Sequence, residues 1–498
     1  MKAPGSTRRD FLKTVGLGAG SIGVPGCHPM QLWTGSGRAK QRPNILFCIA
    51  DDWSWPHASI AGDKVVKTPT FDRVAREGIL FDNAFVTAPS CTPSRGSIVT
   101  GQWHWRLEEG GNLWSTLPSK FAVYPDLLEA AGYHVGYTRK GWGPGRNEPG
   151  GRTRNPAGPQ FKDFVTFLEA RPEGTPFCFW FGSQDPHRSY TWESGVQSGM
   201  NSDEVEVPAC LPDSETVRKD ICDYYWEVQR FDREVGELLT LLAERDALDD
   251  TMVVITGDNG LPFPRCKSNL YDLGTNVPLA VRWPAYVKAG RTVEDFISLQ
   301  DLAPTFLEAA GLEPTAEMTG RSFLDILTSK KSGCVDRRRD HVLTGKERHA
   351  WVRKDGLGYP CRAIRTHEFL YIRNFKPQRW PAGHPVDGGE PYYSNRAYGD
   401  IDGAPSKTYM MEHRDDPDVK RLFELAFEKR PAEELYDLRQ DPDQLNNVAD
   451  RPEYVTVKNK LASTLMAELT DTKDPRVQGR GDVFDRYPYY GGRQPKKT

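Results

Sequence analysis

Two things are scarce in this chain: net charge and long apolar runs. Across 498 residues the basic and acidic side chains nearly cancel, leaving a formal charge of −3. That balance gives no general case for nucleic acid as a partner, although a local basic cleft is compatible with it. After the N-terminus no stretch is apolar for the length a bilayer crossing needs, so no transmembrane segment is expected. Histidine is thin as well, at ten residues. Only His187 sits at a strand end among other polar groups, and most of the others read as surface or packing residues. What is present is the make-up of a soluble globular protein, 38% hydrophobic and 27% charged. The length allows roughly two to four domains and a large core. Thirteen tryptophans and 19 tyrosines offer flat faces that suit carbohydrate stacking, with core packing accounting for most of them.

The N-terminus reads as an address. Thr7-Arg8-Arg9-Asp10-Phe11-Leu12-Lys13 followed by a Gly-rich, mildly apolar run over 15–24 is a twin-arginine pattern. Residues 1–27 are therefore expected to be a signal for the Tat export machinery and 28–42 a linker, with the mature chain periplasmic or extracellular. Val24-Pro25-Gly26-Cys27 loosely resembles a lipoprotein processing site, which makes a lipid anchor at Cys27 an alternative. This route exports folded protein, so the chain folds where thiols stay reduced, and its nine cysteines are not expected to form a disulfide framework. Cys48 and Cys178 read as small core hydrophobes; pairing of Cys210 with Cys222 is left open.

The stretch Ser90-Cys91-Thr92-Pro93-Ser94-Arg95-Gly96 puts a thiol just ahead of a helix start. Thr92 is a good N-cap and Pro93 suits the first helical position. Free N–H groups and the positive end of the helix dipole would face Cys91, and Arg95 adds a permanent charge, so an oxyanion suits the place. A buried cysteine before an ordinary capped helix is an equally good reading of these residues alone.

Elsewhere, short apolar runs at 45–50, 79–85, 133–138, 176–183, 251–256 and 277–283 read as strands. Helical patterns lie between them, the longest over 213–246. This alternation predicts a large mixed, mostly parallel sheet sandwiched by helices. Four strand ends carry polar groups: Asp51-Asp52, Lys140, Asp185 with His187 and Arg188, and Asp258-Asn259. Such a sheet binds ligands at the carboxyl ends of its strands. Taken alone, Asp51-Asp52 is better read as a solvated Asp-Asp turn; the alternative is a cation held between adjacent carboxylates, and carboxylates with an amide oxygen select Ca²⁺, or Mg²⁺ as the alternative, over Zn²⁺.

Cys91-Thr92-Pro93-Ser94-Arg95, continuing to Gly101, resembles the signature of the type I (formylglycine-dependent) sulfatases of the alkaline phosphatase superfamily. Asp51-Asp52 and Asp258-Asn259-Gly260 match that family's metal-binding segments in order and spacing. Asp185-Pro186-His187-Arg188 and Asp258–Pro264 are most similar to its N-sulfoglucosamine (sulfamidase) branch. The resemblance implies that a formylglycine-generating enzyme oxidises Cys91 to formylglycine, whose hydrate attacks a sulfate group. It implies Ca²⁺ on Asp51, Asp52, Cys91, Asp258 and Asn259. It also implies Asp258 as base, Arg95 as charge stabiliser, Lys140 and Lys267 as sulfate clamps and His187 as proton donor to the leaving group. A sulfated carbohydrate, N-sulfated or O-sulfated, is the implied substrate. Two departures stand out. The family usually has Gly-Lys-x-His where this chain has Arg139-Lys140-Gly141-Trp142, and His104 is one candidate substitute for the missing histidine. The sulfamidases have arginine where this chain has Lys267, whereas O-sulfatases have lysine.

Residues 43–340 are thus expected to form the catalytic domain. Residues 341–498 would form a smaller α+β subdomain with an antiparallel sheet that lines the substrate cleft. Substrate contacts are expected from His104, Asp185, Arg188, His349 and Arg362, with Glu347, Arg348 and Arg379 as further candidates. From 478 on, the polar, Tyr- and Gly-containing stretch reads as a tail or as an arm onto a second subunit of a homodimer. Alternatives within the superfamily are an arylsulfatase or a phosphonate monoester or phosphodiester hydrolase. Outside enzymes, the alternative is a non-catalytic sugar-binding relative.

Overall fold

Thirteen strands build three sheets in the computed structural model, which describes residues 42–385 and 397–491. The signal segment, most of the linker and Cys27 lie outside the described residues. In chain order the strands are β1 (Asn44–Ala50), β2 (Ile79–Phe81), β3 (Ala84–Phe85), β4 (His134–Arg139), β5 (Phe177–Gly182), β6 (Thr251–Gly257) and β7 (Leu279–Arg282). They continue with β8 (Arg291–Val293), β9 (Ile297–Ser298), β10 (His341–Lys346), β11 (Cys361–Thr366), β12 (Phe369–Asn374) and β13 (Glu433–Asp437).

The main sheet has the order β4-β5-β1-β6-β7-β2-β8. Its pairs are parallel from β4 through β6, and β7 is the reversed strand. Both faces are covered, so β1 is apolar throughout: Leu46, Cys48 and Ala50 enter one core and Ile45, Phe47 and Ile49 the other. The helix Glu215–Ala243 covers the first face. Ser214 caps it by accepting from the Val217 N–H at 3.3 Å. Val217, Ile221, Tyr224, Val228, Phe231, Val235 and Leu242 recur at helical spacing and are all buried, each worth about 1.5–3 kcal/mol on burial.

The expected single strand over 79–85 is two. Asp82 donates its N–H to Val293 and the Asn83 amide donates to Glu294, which turns the chain so that β3 pairs with β9 in a separate two-stranded sheet. The second large sheet, β10-β11-β12-β13, is antiparallel, as expected of the C-terminal part. It is covered by the helix Val455–Asp471 through Leu461, Leu465 and Leu469. Two helices between β12 and β13, Pro405–Glu412 and Pro417–Phe427, return to the core of the main sheet with Met410, Phe423 and Phe427. The described C-terminal arm packs on its own chain: Arg348 donates to the carbonyls of Tyr487 and Pro488, and Asn112 to that of Phe484. Among the described residues no helix is long and apolar enough to cross a membrane. Cys210, Cys222 and Cys266 are all free thiols.

Candidate active site

Because β4, β5, β1 and β6 are neighbours and parallel, their carboxyl ends lie side by side about 4.8 Å apart. Asp51 and Asp52 follow β1, Asp258 and Asn259 follow β6, Lys140 follows β4, and His187 stands five residues past β5. The helix Cys91–Thr100 enters over this edge. Ligating atoms of Asp51, Asp52, Cys91 and Asp258 all fall within 4.8 Å of one another, and all four residues are buried.

The helix begins earlier than its capping residues suggest. Ser90 is the extended N-cap residue and Cys91 is the first helical residue. Ser94 donates to the Ser90 carbonyl at 3.0 Å. Thr92, expected as the cap, donates its hydroxyl to the Pro144 carbonyl instead. The Ser90 hydroxyl is engaged with Nδ1 of His349 at 2.9 Å. The thiol thus lies inside the first turn, beside the free N–H groups rather than ahead of them.

Each acid has a base. Arg95, fully enclosed, donates from Nε to Asp258 Oδ2 at 2.6 Å and from Nη1 to the carbonyls of Lys140 and Gly141. The Lys140 ammonium sits 2.5 Å from Asp51 Oδ2, and that of Lys267 2.6 Å from Asp52 Oδ2. Burial works to raise the Asp51 carboxyl, but Lys140, with help from His187 and Arg95, outweighs it and holds the group well below the usual carboxylate range. For Asp52 burial wins over Lys267 and the carboxyl is raised. Burial, with Asp258 and Asp51, pushes the Cys91 thiol far up; it stays neutral and donates to Asp51 Oδ1 at 3.3 Å. Asp52 is held at φ 73°, a left-handed conformation that costs a non-glycine residue about 1–2 kcal/mol. Its N–H bond to Asp258 Oδ1 at 3.0 Å and the Tyr224 hydroxyl on its carbonyl hold it there. A Cβ on Gly257 would lie 2.4 Å from the Trp53 carbonyl, so only glycine lets β6 come this close to that turn.

The residues fit a hard cation. Three carboxylates converge, and the carbonyl oxygen of Asn259 is buried without a hydrogen-bond partner among the described residues while its amide nitrogen donates to Asp52 and Asp258. His187 donates from Nδ1 to the Arg188 carbonyl at 2.5 Å, which leaves Nε2 facing Asp52 Oδ2 at 3.9 Å. The Lys140 and His187 side chains, 17% and 36% exposed, form the open side of an otherwise sealed cluster.

Other expected contacts lie elsewhere. His104 is sealed, with no hydrogen-bond partner on either ring nitrogen among the described residues, and burial, with Arg362 nearby, holds its pKa well down. It therefore cannot stand in for the missing histidine at the surface of the site, nor touch a sugar. Trp142 fills that histidine's place as packing, its indole lying over Gly96 of the Cys91 helix. Arg362 is fully buried between Glu347 and Asp474, at 2.7 and 2.6 Å, and is a brace of the second sheet rather than a substrate contact. Arg348 is buried against the C-terminal arm, and Arg379 pairs with Asp485. Arg188 is locked bidentately on Asp220, at 2.7 and 2.9 Å, and Asp185 faces Arg230 at 3.1 Å. His349 is buried behind Ser90, and burial lowers its pKa to about 4.

One residue at the site was not anticipated. Asp402 places Oδ2 3.1 Å from the Lys267 ammonium. Its carboxylate also lies within 4.8 Å of the ligating atoms of Asp52 and His187. It comes from a Gly- and Pro-rich connection with no periodic pattern, where composition carries no signal.

A family model described as Sulfatase matches residues 43–312, and one described as N-sulphoglucosamine sulphohydrolase, C-terminal, matches residues 266–380. The chain is 28% identical over 471 residues to an ulvan-active sulfatase of Formosa agariphila, covering 85% of this chain and 74% of that protein. It is 28% identical over 518 residues to human N-sulphoglucosamine sulphohydrolase, covering 93% and 97%. A solved structure of BT4656 in complex with its substrate D-glucosamine-2-N,6-O-disulfate has a TM-score of 0.61 at 19% identity, covering 87% of this chain and 98% of that one. A phosphonate monoester hydrolase from Silicibacter pomeroyi shares the fold at a TM-score of 0.63 and 16% identity, covering 87% and 96%.

Proposed function

Since the chain belongs to the sulfatase family, we propose that it hydrolyses sulfate from a sulfated sugar, as an N-sulfate or an O-sulfate, using formylglycine made from Cys91. The observation that carries this reading is the meeting of Asp51, Asp52, Cys91 and Asp258 within 4.8 Å at a helix start that also carries Arg95. Formylglycine at residue 91 would supply a hydrated aldehyde: a nucleophilic hydroxyl for sulfur and a second hydroxyl whose loss of a proton would reform the aldehyde as sulfate leaves. A neutral, buried thiol is a poor nucleophile, and a thiol adduct with sulfate would be stable, so Cys91 itself suits the role of precursor. Asp51, Asp52, Asp258 and Asn259 would hold Ca²⁺, which supplies positive charge to the sulfate oxygens.

The chain's own groups do the rest. Asp258, oriented by Arg95, takes the proton of the attacking hydroxyl. The ammonium groups of Lys140 and Lys267 donate to the sulfate oxygens, where charge gathers in the transition state. His187 gives the proton on Nε2 to the departing oxygen or nitrogen. A formylglycine-generating enzyme and the twin-arginine export route complete the setting, and the mature protein acts in the periplasm or outside the cell.

The test is sulfate release by purified, Ca²⁺-loaded protein from glucosamine N-sulfate, glucosamine 6-sulfate and sulfated algal oligosaccharides, beside a phosphonate monoester. Sulfate is expected from at least one sugar. Turnover of the phosphonate alone would assign the protein to the phosphonate hydrolases, and sugar binding without turnover would make it a binding protein.

The metal has its own readout. Ligand at about a thousand times its dissociation constant stabilises a fold by about 4 kcal/mol. For a chain of this length unfolding entropy converts that to a melting shift of about 4 °C. Chelator-treated protein is expected to melt that much lower, and Ca²⁺ is expected to restore it better than Zn²⁺. A melting curve indifferent to both would rule the cation out.

A further inference from the structure

The proposed reaction leaves one charged group at the site without work. Lys267 already has Asp52 at 2.6 Å, yet it meets a second carboxylate, Asp402, at 3.1 Å. A site that grips sulfate gains nothing from extra negative charge unless that charge acts on another part of the substrate. Only Oδ2 of Asp402 is engaged; Oδ1 accepts no hydrogen bond among the described residues. The Asp402 side chain is 30% exposed and lies beside the half-exposed His187, their ligating atoms within 4.8 Å of each other.

Asp402 is also firmly placed. Two residues before it, Asp400 is buried, bonded to Arg353 at 2.5 Å and to the Ala350 N–H at 3.0 Å. Four residues after it, Ser406 donates its hydroxyl and its N–H to Asp220 Oδ2. Asp220, on the long helix Glu215–Ala243, is the same carboxylate that locks Arg188, the neighbour of His187. The chain segments bearing Asp402 and His187 are therefore fastened to one point.

We propose that Asp402 selects the sugar. Its free oxygen accepts a hydrogen bond from a hydroxyl or ammonium adjacent to the scissile sulfate, and its charge rejects a sugar carrying a second anion at that position. This rests on the sulfatase reading. Recognition through a buried or half-buried hydrogen bond discriminates strongly, because a substrate without the donor leaves the acceptor unpaired. A carboxylate set beside a second sulfate adds repulsion between like charges.

The experiment compares kcat/KM of the Ca²⁺-loaded enzyme on glucosamine N-sulfate and glucosamine N,3-disulfate, and on glucosamine 6-sulfate and glucosamine 4,6-disulfate. For the monosulfated sugar it cleaves, the parent enzyme is expected to prefer that sugar over its disulfated counterpart by about tenfold or more. Asp402→Asn should lower kcat/KM on the monosulfated sugar about tenfold, chiefly through KM, and shrink the preference to within about threefold. Asp402→Glu should recover part of the preference. A parent enzyme with no preference overturns the proposal, whatever the variants do. So does an Asp402→Asn protein slowed equally on both sugars, which is the pattern of a residue that merely holds Lys267. A parent enzyme that releases sulfate from algal oligosaccharides but from neither monosulfated glucosamine also overturns the proposal while the sulfatase reading stands; one that releases sulfate from no sugar in either panel ends the sulfatase reading, and the selection by Asp402 falls with it.

Discussion

Cys91→Ala is expected to abolish sulfate release, a loss on the order of 10⁴-fold or more, as for removal of other covalent nucleophiles. The fold should barely notice. The side chain is 3% exposed and makes one thiol hydrogen bond, to Asp51 at 3.3 Å, so truncation costs about 1 kcal/mol or less. A large kinetic loss with an almost unchanged melting curve separates a reacting group from a packing one. Cys91→Ser keeps the size and the bond to Asp51 and should be as inactive as alanine if the thiol is needed as a precursor. In the active parent protein, mass spectrometry of the peptide spanning residue 91 should find sulfur and two hydrogens replaced by one oxygen. An unmodified thiol in protein that turns over sulfate esters would end the formylglycine reading, and substantial activity in the alanine variant would end any role for residue 91.

Arg95→Ala is expected to fail in two ways at once. The guanidinium is wholly enclosed, 2.6 Å from Asp258 and 3.8 Å from Asp51. Removing it leaves the buried Asp258 carboxylate without its counter-charge, a cost of about 3–5 kcal/mol, or about 3–5 °C in melting temperature at this chain length. Losing the charge that stabilises the transition state should also slow turnover by about 10²–10³-fold. Arg95→Lys tells the two effects apart. It returns a positive charge and part of the stability, but it cannot bond Asp258 and the carbonyls of Lys140 and Gly141 together, so its rate should stay low. If alanine and lysine behaved alike in both stability and rate, the geometry of the fork would be irrelevant and Arg95 would be a structural counter-ion.

How much of this was legible beforehand depended on how local each signal was. Asp51-Asp52 and Asp258-Asn259 could be read because each follows a short apolar run that reads as a doubly covered strand, and parallel neighbours end at one edge. The Cys91 helix could be read, but its start could not be placed. Ser90 and Thr92 are both good caps, and the choice was made by partners at His349 and Pro144, 259 and 52 residues away. Asp402 meets Lys267 across 135 positions from a connection without periodicity. Arg362 resembled a cleft residue until Asp474, 112 positions on, and Glu347 enclosed it. An arginine in a strand pattern says nothing of whether its partner will be a ligand or another part of the chain.

The shared anchorage at Asp220 bears on how such a site can be remodelled. Arg188 and Ser406 belong to connections more than two hundred positions apart in the chain, yet both terminate on one carboxylate of a core helix. The span between His187 and Asp402 is set by that helix and not by either loop. Grafting one loop from a relative would import new side chains at the old spacing, whereas changing residue 220 would move both walls together without altering any group that meets the sugar.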